Sequence, residues 1–579
     1  MKKYLKYALS ITIIISISLL SYSYNYSHYI YHYYKDNSKV GSNRLTLKEV
    51  TTTPTKSSIL QNNSTLQQVF EKNKQHVCGN NRNGSTFYIT EYVLPVSCSQ
   101  PVGLAVDKNN NIWIAAGWVG DLFVFDPTSN TFIKTIPLPN WHSVGLFGSM
   151  IWDMKFDNNG NLWFTDEKSN SIWKYFTKEN KFEQYKLPTH GGYPVSLVFD
   201  SNGKVWFTEI FGKKLAVLDP SKVQNGSTNG ISELNLTKYI SFDTTGPLSN
   251  NFAYHNQSNN STAATISKNI LWFTTVNYPF GGQVVKYDIA NNHLTVYDLT
   301  NEHTIPLSIS EDESGRVWTN DHASSLFLML DPSTGYTKQY ATSFPLTVNT
   351  TTLPYYNEYR DGKIWFNEHY GNAIAFFNMK NNTLVEFHIP TEDKFWGNAS
   401  NPLRFIFDKN GSIWFTEWTE NKIGVVHKDK INLLPISIST SKDKMVLDRA
   451  AAKGDTVDIF IHKNNSNIDQ NNNFLLNQQQ LQQQKPNKIS NITMFATSSI
   501  SKIGALSNLT SKFSKDVFFF SVPPANVKDN VSSPLEMPYK TTLAIYPTKY
   551  VTPGNYTLTI SARYNNEVTV SKIIDLDIK

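Results

Sequence analysis

Apolar and polar positions alternate along the middle of the chain in short runs separated by turn-forming residues. Pro101 to Asp107, Asn111 to Ala116, Asp121 to Asp126 and Thr131 to Pro137 are four such runs in succession. Period-two patterning over five to seven residues predicts half-buried strands, and four short strands joined by tight turns make one propeller blade. The second run, with its Ile-Trp core, recurs around Trp163, Trp206, Trp272, Trp318, Trp365 and Trp414. Counted from Trp113, the intervals are 50, 43, 66, 46, 47 and 49 residues. One β-prone motif every 40 to 50 residues predicts a propeller, and seven copies predict seven blades, over residues 85–430. Turns such as Asp157-Asn-Asn-Gly160, Asp200-Ser-Asn-Gly203 and Asp408-Lys-Asn-Gly411 punctuate the pattern.

Two places depart from it. The fourth repeat is long and carries a polar insert around Ser249 to Thr262, and the seventh stops after its third strand near His427. The missing outer strand is expected at the other end of the chain. Residues 87–95 have the pattern of Leu384 to Pro390, and pairing them with the seventh repeat removes two exposed sheet edges.

Residues 431–579 lack the repeat. Their strand-like runs, and a Pro553-Gly-Asn-Tyr556 turn resembling a tyrosine corner, predict a small immunoglobulin-like β-sandwich. The Asn/Gln-rich stretch 464–488 is too polar for a core and reads as a loop. The chain is thus expected to be all-β after its leader. That leader, residues 1–34, joins a basic start to an apolar run from Tyr7 to Tyr22, and reads as a secretory signal or an uncleaved anchor. Tyrosines following it suit a membrane boundary and favour the anchor. Residues 35–84 are polar and read as a stalk.

Aromatics make up 13% of the chain and charged residues 17%, which suits strands. The net charge of +6 is small and its arginines are scattered, so a nucleic-acid partner is not expected. Cys78 and Cys98, the only cysteines, suit one disulfide in an exported protein, closing a loop for about 3 kcal/mol. Asn-x-Ser/Thr tripeptides from Asn63 to Asn555 are glycan acceptors in such a setting.

The run Trp414-Phe-Thr-Glu-Trp-Thr-Glu-Asn-Lys-Ile-Gly424, with its Glu-Tyr-x-Leu-Pro outer strands, resembles the virginiamycin B lyase (streptogramin lyase) family over about residues 85–430. The resemblance implies a seven-bladed propeller that opens the depsipeptide ester of streptogramin B by elimination. It also implies a His after the Pro of two inner strands, a supporting Glu and a magnesium ion. Here those positions hold Val102, Trp152, Val195, Leu307, Leu403 and, in the sixth repeat, Pro354 or Tyr355. None is His, so the family's base does not carry over.

Other chemistry gathers at the same expected end of the blades. Three residues after each Trp stand Ala116, Asp166, Glu209, Thr275, Asp321, Glu368 and Glu417, followed twice by an imidazole, His322 and His369. Glu209, Asp321 and Glu368 are candidate oxygen ligands for a divalent cation, magnesium or calcium. Glu368, His369, Asp321 and His322 are candidate catalytic groups, and Arg404, Asp153, Tyr355 and Glu417 candidate ligand contacts. The acidic positions equally suit a structural task, satisfying backbone N–H groups between blades. Three functions compete. One is a cell-surface module, anchored or secreted on the extracellular side, binding a small molecule, glycan or protein at the propeller face. The second is a metal-assisted lyase or hydrolase, and the third a structural glycoprotein of the envelope.

Overall fold

The structure, a computed structural model, describes residues 78–79, 82–141, 149–236, 248–254, 270–276, 281–299, 305–343, 351–393, 398–464, 489–501, 504–521 and 538–579. The leader, the stalk as far as residue 77 and the Asn/Gln-rich stretch from 465 to 488 lie outside the described residues. Among those described, one α-helical turn, Lys428–Ile431, interrupts an otherwise all-strand molecule. No described helix is long and apolar enough to cross a membrane.

The first repeat folds as Pro101–Val106, Ile112–Ala116, Asp121–Asp126 and Thr131–Pro137, hydrogen-bonded in that order. The second to sixth repeats build the same four-stranded meander, the sixth as part of a larger sheet. The first strands of successive sheets touch one another in turn, and Pro402–Phe407 of the last touches Pro101–Val106 of the first. This cyclic arrangement is a β-propeller. The last sheet borrows its outer strand: Ile89–Val93 pairs antiparallel with Lys422–Val426, Ile89 opposite Val426. Cys78 is bonded to Cys98, so the disulfide brackets that strand. The polar insert expected from Ser249 is corrected at its start. Leu248–Tyr254 is the first strand of the fourth sheet, paired with Ile270–Thr275.

The repeat is written in its hairpin turns. Asp107 accepts backbone N–H bonds from Asn109 and Asn111 with one oxygen and the Trp113 indole N–H with the other, at 3.0 Å. Asp157, Asp200, Asp312 and Asp408 hold Trp163, Trp206, Trp318 and Trp414 in the same way. Each Asp fastens the turn between first and second strands to a core Trp and satisfies an indole donor that burial would strand. Trp272 takes Glu311 of the following repeat instead.

The C-terminal region is not a bead on a string. The outer strand of the sixth sheet, Thr383–His388, pairs with Val568–Ile578, so that sheet continues through Gly554–Tyr564 and Ile489–Ser498 to Val517–Ser521. A second sheet orders Ile436–Thr440, Asp455–Lys463, Tyr539–Pro547 and Leu509–Phe513. Both sheets share one hydrophobic core, with Ile459 and Leu543 from one and Leu558 and Ile574 from the other. Tyr556 donates its hydroxyl to the Thr552 carbonyl at 3.1 Å.

Candidate functional site

The register places the opening Pro of a first strand opposite the acidic end of the second. Pro194 faces Glu209, Pro306 faces Asp321, Pro354 faces Glu368 and Pro402 faces Glu417. The expected end of the sheets therefore does gather these residues. Their carboxyls, however, turn into their own blades.

In the third, sixth and seventh sheets the second-strand Glu meets a second Glu on the outer strand. Glu209 is beside Glu233, Glu368 beside Glu386 and Glu417 beside Glu91. The residue opposite each outer Glu is small, Ala216, Ala375 or Gly424, which leaves room for the pair. Space is also made on the loop side: a Cβ at Gly212 or Gly371 would lie 2.5 or 2.0 Å from the Glu209 or Glu368 carboxyl. Each outer Glu then takes two hydrogen bonds from the loop that leaves the preceding blade. Thr189 gives its backbone N–H and hydroxyl to Glu233, Ser343 does so to Glu386, and Thr391 to Glu91. These are latches between neighbouring blades. Burial first, and the second carboxylate next, push Glu209 up to about 8 and Glu368 and Glu417 well above the usual carboxylate range.

Asp166 is also committed, accepting bonds from Ser149, from Lys168 and Ser169 N–H groups and from the Trp173 indole. Asp321 accepts the N–H groups of Ile305 and Ala323. Among the described residues no three His, Cys, Asp or Glu side chains gather as a metal-binding group. Glu209, Asp321 and Glu368 stand on three different sheets, and Glu209 and Glu368 each lie beside an outer-strand Glu of their own blade.

His322 and His369 do come together. Their rings stack 5.2 Å apart at 5°, with His369 Nδ1 3.4 Å from His322 Nε2, and both are buried. Burial pushes His322 down to about 4 and, with His322 beside it, His369 well below the usual imidazole range. Tyr355 packs edge-on against His322 at 5.0 Å. Neutral imidazoles of so low a basicity are poor proton acceptors.

The two charged candidates found each other. Arg404 Nη2 lies 2.5 Å from Asp153 Oδ1, with the side chains 9% and 4% exposed, and the guanidinium sits over the Tyr356 ring at 4.3 Å. Asp153 also accepts bonds from Ser196 Oγ and Leu197 N–H, with Lys155 3.4 Å away. Burial would raise Asp153, but Arg404 and then Lys155 outweigh it and hold the carboxylate below its usual range. The pair ties the second sheet to the seventh through their first strands, one residue beyond the positions where the family implies His.

Sequence reasoning missed Glu167, half-buried at the same end. It accepts the Trp152 indole N–H at 2.5 Å and the Met150 N–H at 3.1 Å, and burial pushes it up to about 7. Nothing in its own repeat marked it, because it follows the acidic position that the repeat made conspicuous. The outer-strand acids Glu91, Glu233 and Glu386 were not singled out either, although Glu91 and Glu386 lie in the matched runs 87–95 and 384–390. The Thr after Leu187-Pro188 and the Thr after Ile389-Pro390 were the available signals for the partners of Glu233 and Glu91, whereas Glu386 takes Ser343.

The virginiamycin B lyase family model matches residues 39–225. The chain is similar to the virginiamycin B lyase family. The match begins in the stretch read as a stalk and ends within the third repeat. The solved virginiamycin B lyase from Staphylococcus aureus is 19% identical, covering 58% of this chain and 98% of that one, with a TM-score of 0.46. A streptogramin B lyase structure is 22% identical, covering 58% and 96%, with a TM-score of 0.45. Overlaps this loose add no argument about activity. No curated protein matches the chain.

Proposed function

We propose that the protein is an exported, surface-held binding module, a seven-bladed propeller followed by an immunoglobulin-like sandwich. Its ligand is taken at the end of the blades where the first strands begin. The Arg404–Asp153 pair carries this reading. In a family whose reaction is built on a base beside the opening Pro, this chain has apolar or aromatic residues there, and its nearest charges neutralise each other. The two imidazoles at that end are buried and weakly basic. Export is supported by the bonded Cys78 and Cys98 and by the apolar leader.

The test has two arms. Purified protein is incubated with a streptogramin B depsipeptide and magnesium, and ring-opened product is sought by mass spectrometry. No product above the enzyme-free rate is expected, and turnover that Glu368→Gln/His369→Ala abolishes would sink the reading. In the second arm the same protein is applied to glycan and peptide arrays. Retained binding that Asp153→Asn weakens at least tenfold is expected, and a folded protein that binds nothing on either array counts against a binding module.

A further inference from the structure

We infer that the chain carries N-linked glycans at the asparagines its fold leaves in solvent. This rests on the export reading above. Ten Asn-x-Ser/Thr tripeptides begin at a described residue, and nine of these asparagines are exposed: Asn83, Asn225, Asn235, Asn381, Asn398, Asn410, Asn491, Asn508 and Asn555. The buried asparagines Asn320, Asn357, Asn367, Asn372, Asn401 and Asn421 begin none. A branched, solvated sugar on a side-chain amide needs that amide in water, because burying it would strand many hydroxyls.

Asn464 is the tenth and the informative exception. It is half-buried, its amide nitrogen donates to the Leu434 carbonyl at 3.0 Å, and its oxygen accepts from Ser437 Oγ at 3.1 Å. Both ends of that amide are used where the chain enters the C-terminal region. Asn381 shows the opposite situation. It is exposed in a turn, and its oxygen accepts the Thr383 N–H of its own tripeptide at 3.2 Å.

The chemistry is a group transfer from a lipid-pyrophosphate-linked oligosaccharide, supplied by a membrane-bound transferase. The Asn amide nitrogen forms a bond to the anomeric carbon and loses a proton. The carbon–oxygen bond to phosphate breaks, and the lipid pyrophosphate leaves with the electron pair.

The experiment is glycopeptide mass spectrometry of the full chain purified from its native cells, with the thiol state of Cys78 and Cys98 read in the same digest. Hexose-containing mass additions are expected on the peptides of the nine exposed sites, with none on the peptide of Asn464. In the Asn381→Gln variant the addition on that peptide is lost and the others remain. Unmodified asparagine at all nine, in membrane-associated protein with oxidised cysteines, overturns the inference while leaving export standing. Unmodified asparagine with free thiols in the cytoplasmic fraction overturns both. An addition at Asn464 equal to that at Asn381 would show that the fold does not sort the acceptors.

Discussion

The latches of the seventh and sixth blades are the same device closed in two ways. In the seventh, Lys422 stands opposite Glu417 and reaches Glu91 Oε2 at 3.2 Å, with both side chains of that ion pair wholly buried. The third blade does likewise, Lys214 opposite Glu209 bonding Glu233. In the sixth blade the equivalent residue is Ala373. The cation acting on Glu368 and Glu386 is instead Arg563, on the strand Gly554–Tyr564. A row across the extended sheet joins them: Glu386 opposes Thr569, which opposes Arg563, and Arg563 Nε donates to Thr569 Oγ1 at 3.3 Å. The difference teaches that the C-terminal region completes the sixth blade chemically as well as by strand pairing. A propeller cut off near residue 430 would lose a charge and expose the edge of Thr383–His388.

Replacing Lys422 with Met should do the most damage, because it leaves a buried carboxylate with no cation. A loss of about 3–5 kcal/mol in urea unfolding is expected, and a loss below about 1 kcal/mol would mean the latch contributes no stability. Arg563→Met should cost less, about 1.5–3 kcal/mol, since Arg563 acts from beyond the intervening strand Val568–Ile578, whereas Lys422 bonds Glu91 directly. An equal loss at both sites would erase the distinction between internal and external cations. Adding Ala373→Lys to Arg563→Met should recover about 1 kcal/mol, as a lysine there would repeat Lys422. No recovery in a double-mutant cycle would show that the two positions are not equivalent.

The smallest effect is in pH. Between the ordinary glutamate value of 4.5 and about 8, the folded state keeps a proton on Glu209 that the unfolded chain has released. Stability from this group therefore falls as pH rises through that window. Glu209→Gln should flatten the decline, gaining on the order of 1–2 kcal/mol at pH 8 and little at pH 4.5. Melting curves that stay parallel across this range would contradict the raised value. His322 works in the opposite sense, losing stability as pH falls from 6.5 towards 4, but it is common to both proteins and cancels in the Glu209 comparison.

How much of this was legible follows from distance along the chain. The strand repeat was, because Trp113 and its relatives, with the Asp six residues ahead of five of them, lie within one hairpin. The outer strand drawn from residues 87–95 was legible because its pattern matches Leu384 to Pro390. The latches were not. Glu91 meets Thr391 three hundred residues away, and Glu386 meets a cation from beyond the repeats. The acidic positions and Arg404 were found by counting from the repeat. Period alone does not say whether an acid points inward to the centre or sideways to its own blade, and three of the five turn sideways to a second Glu. The His pair and the Arg404–Asp153 pair depend on which first strands face each other, which only the closed ring supplies.

The bond between Cys78 and Cys98 also sets the path of mechanical load. Tension arriving from residues before 78 enters at Cys78 and crosses through sulfur to Cys98, beside the first strand at Pro101. The strand Ile89–Val93 lies on the slack side of that covalent loop. A pull along the chain cannot peel it from Val426 one hydrogen bond at a time. The load would reach Pro101–Val106, paired with Ile112–Ala116, before it reached the seam.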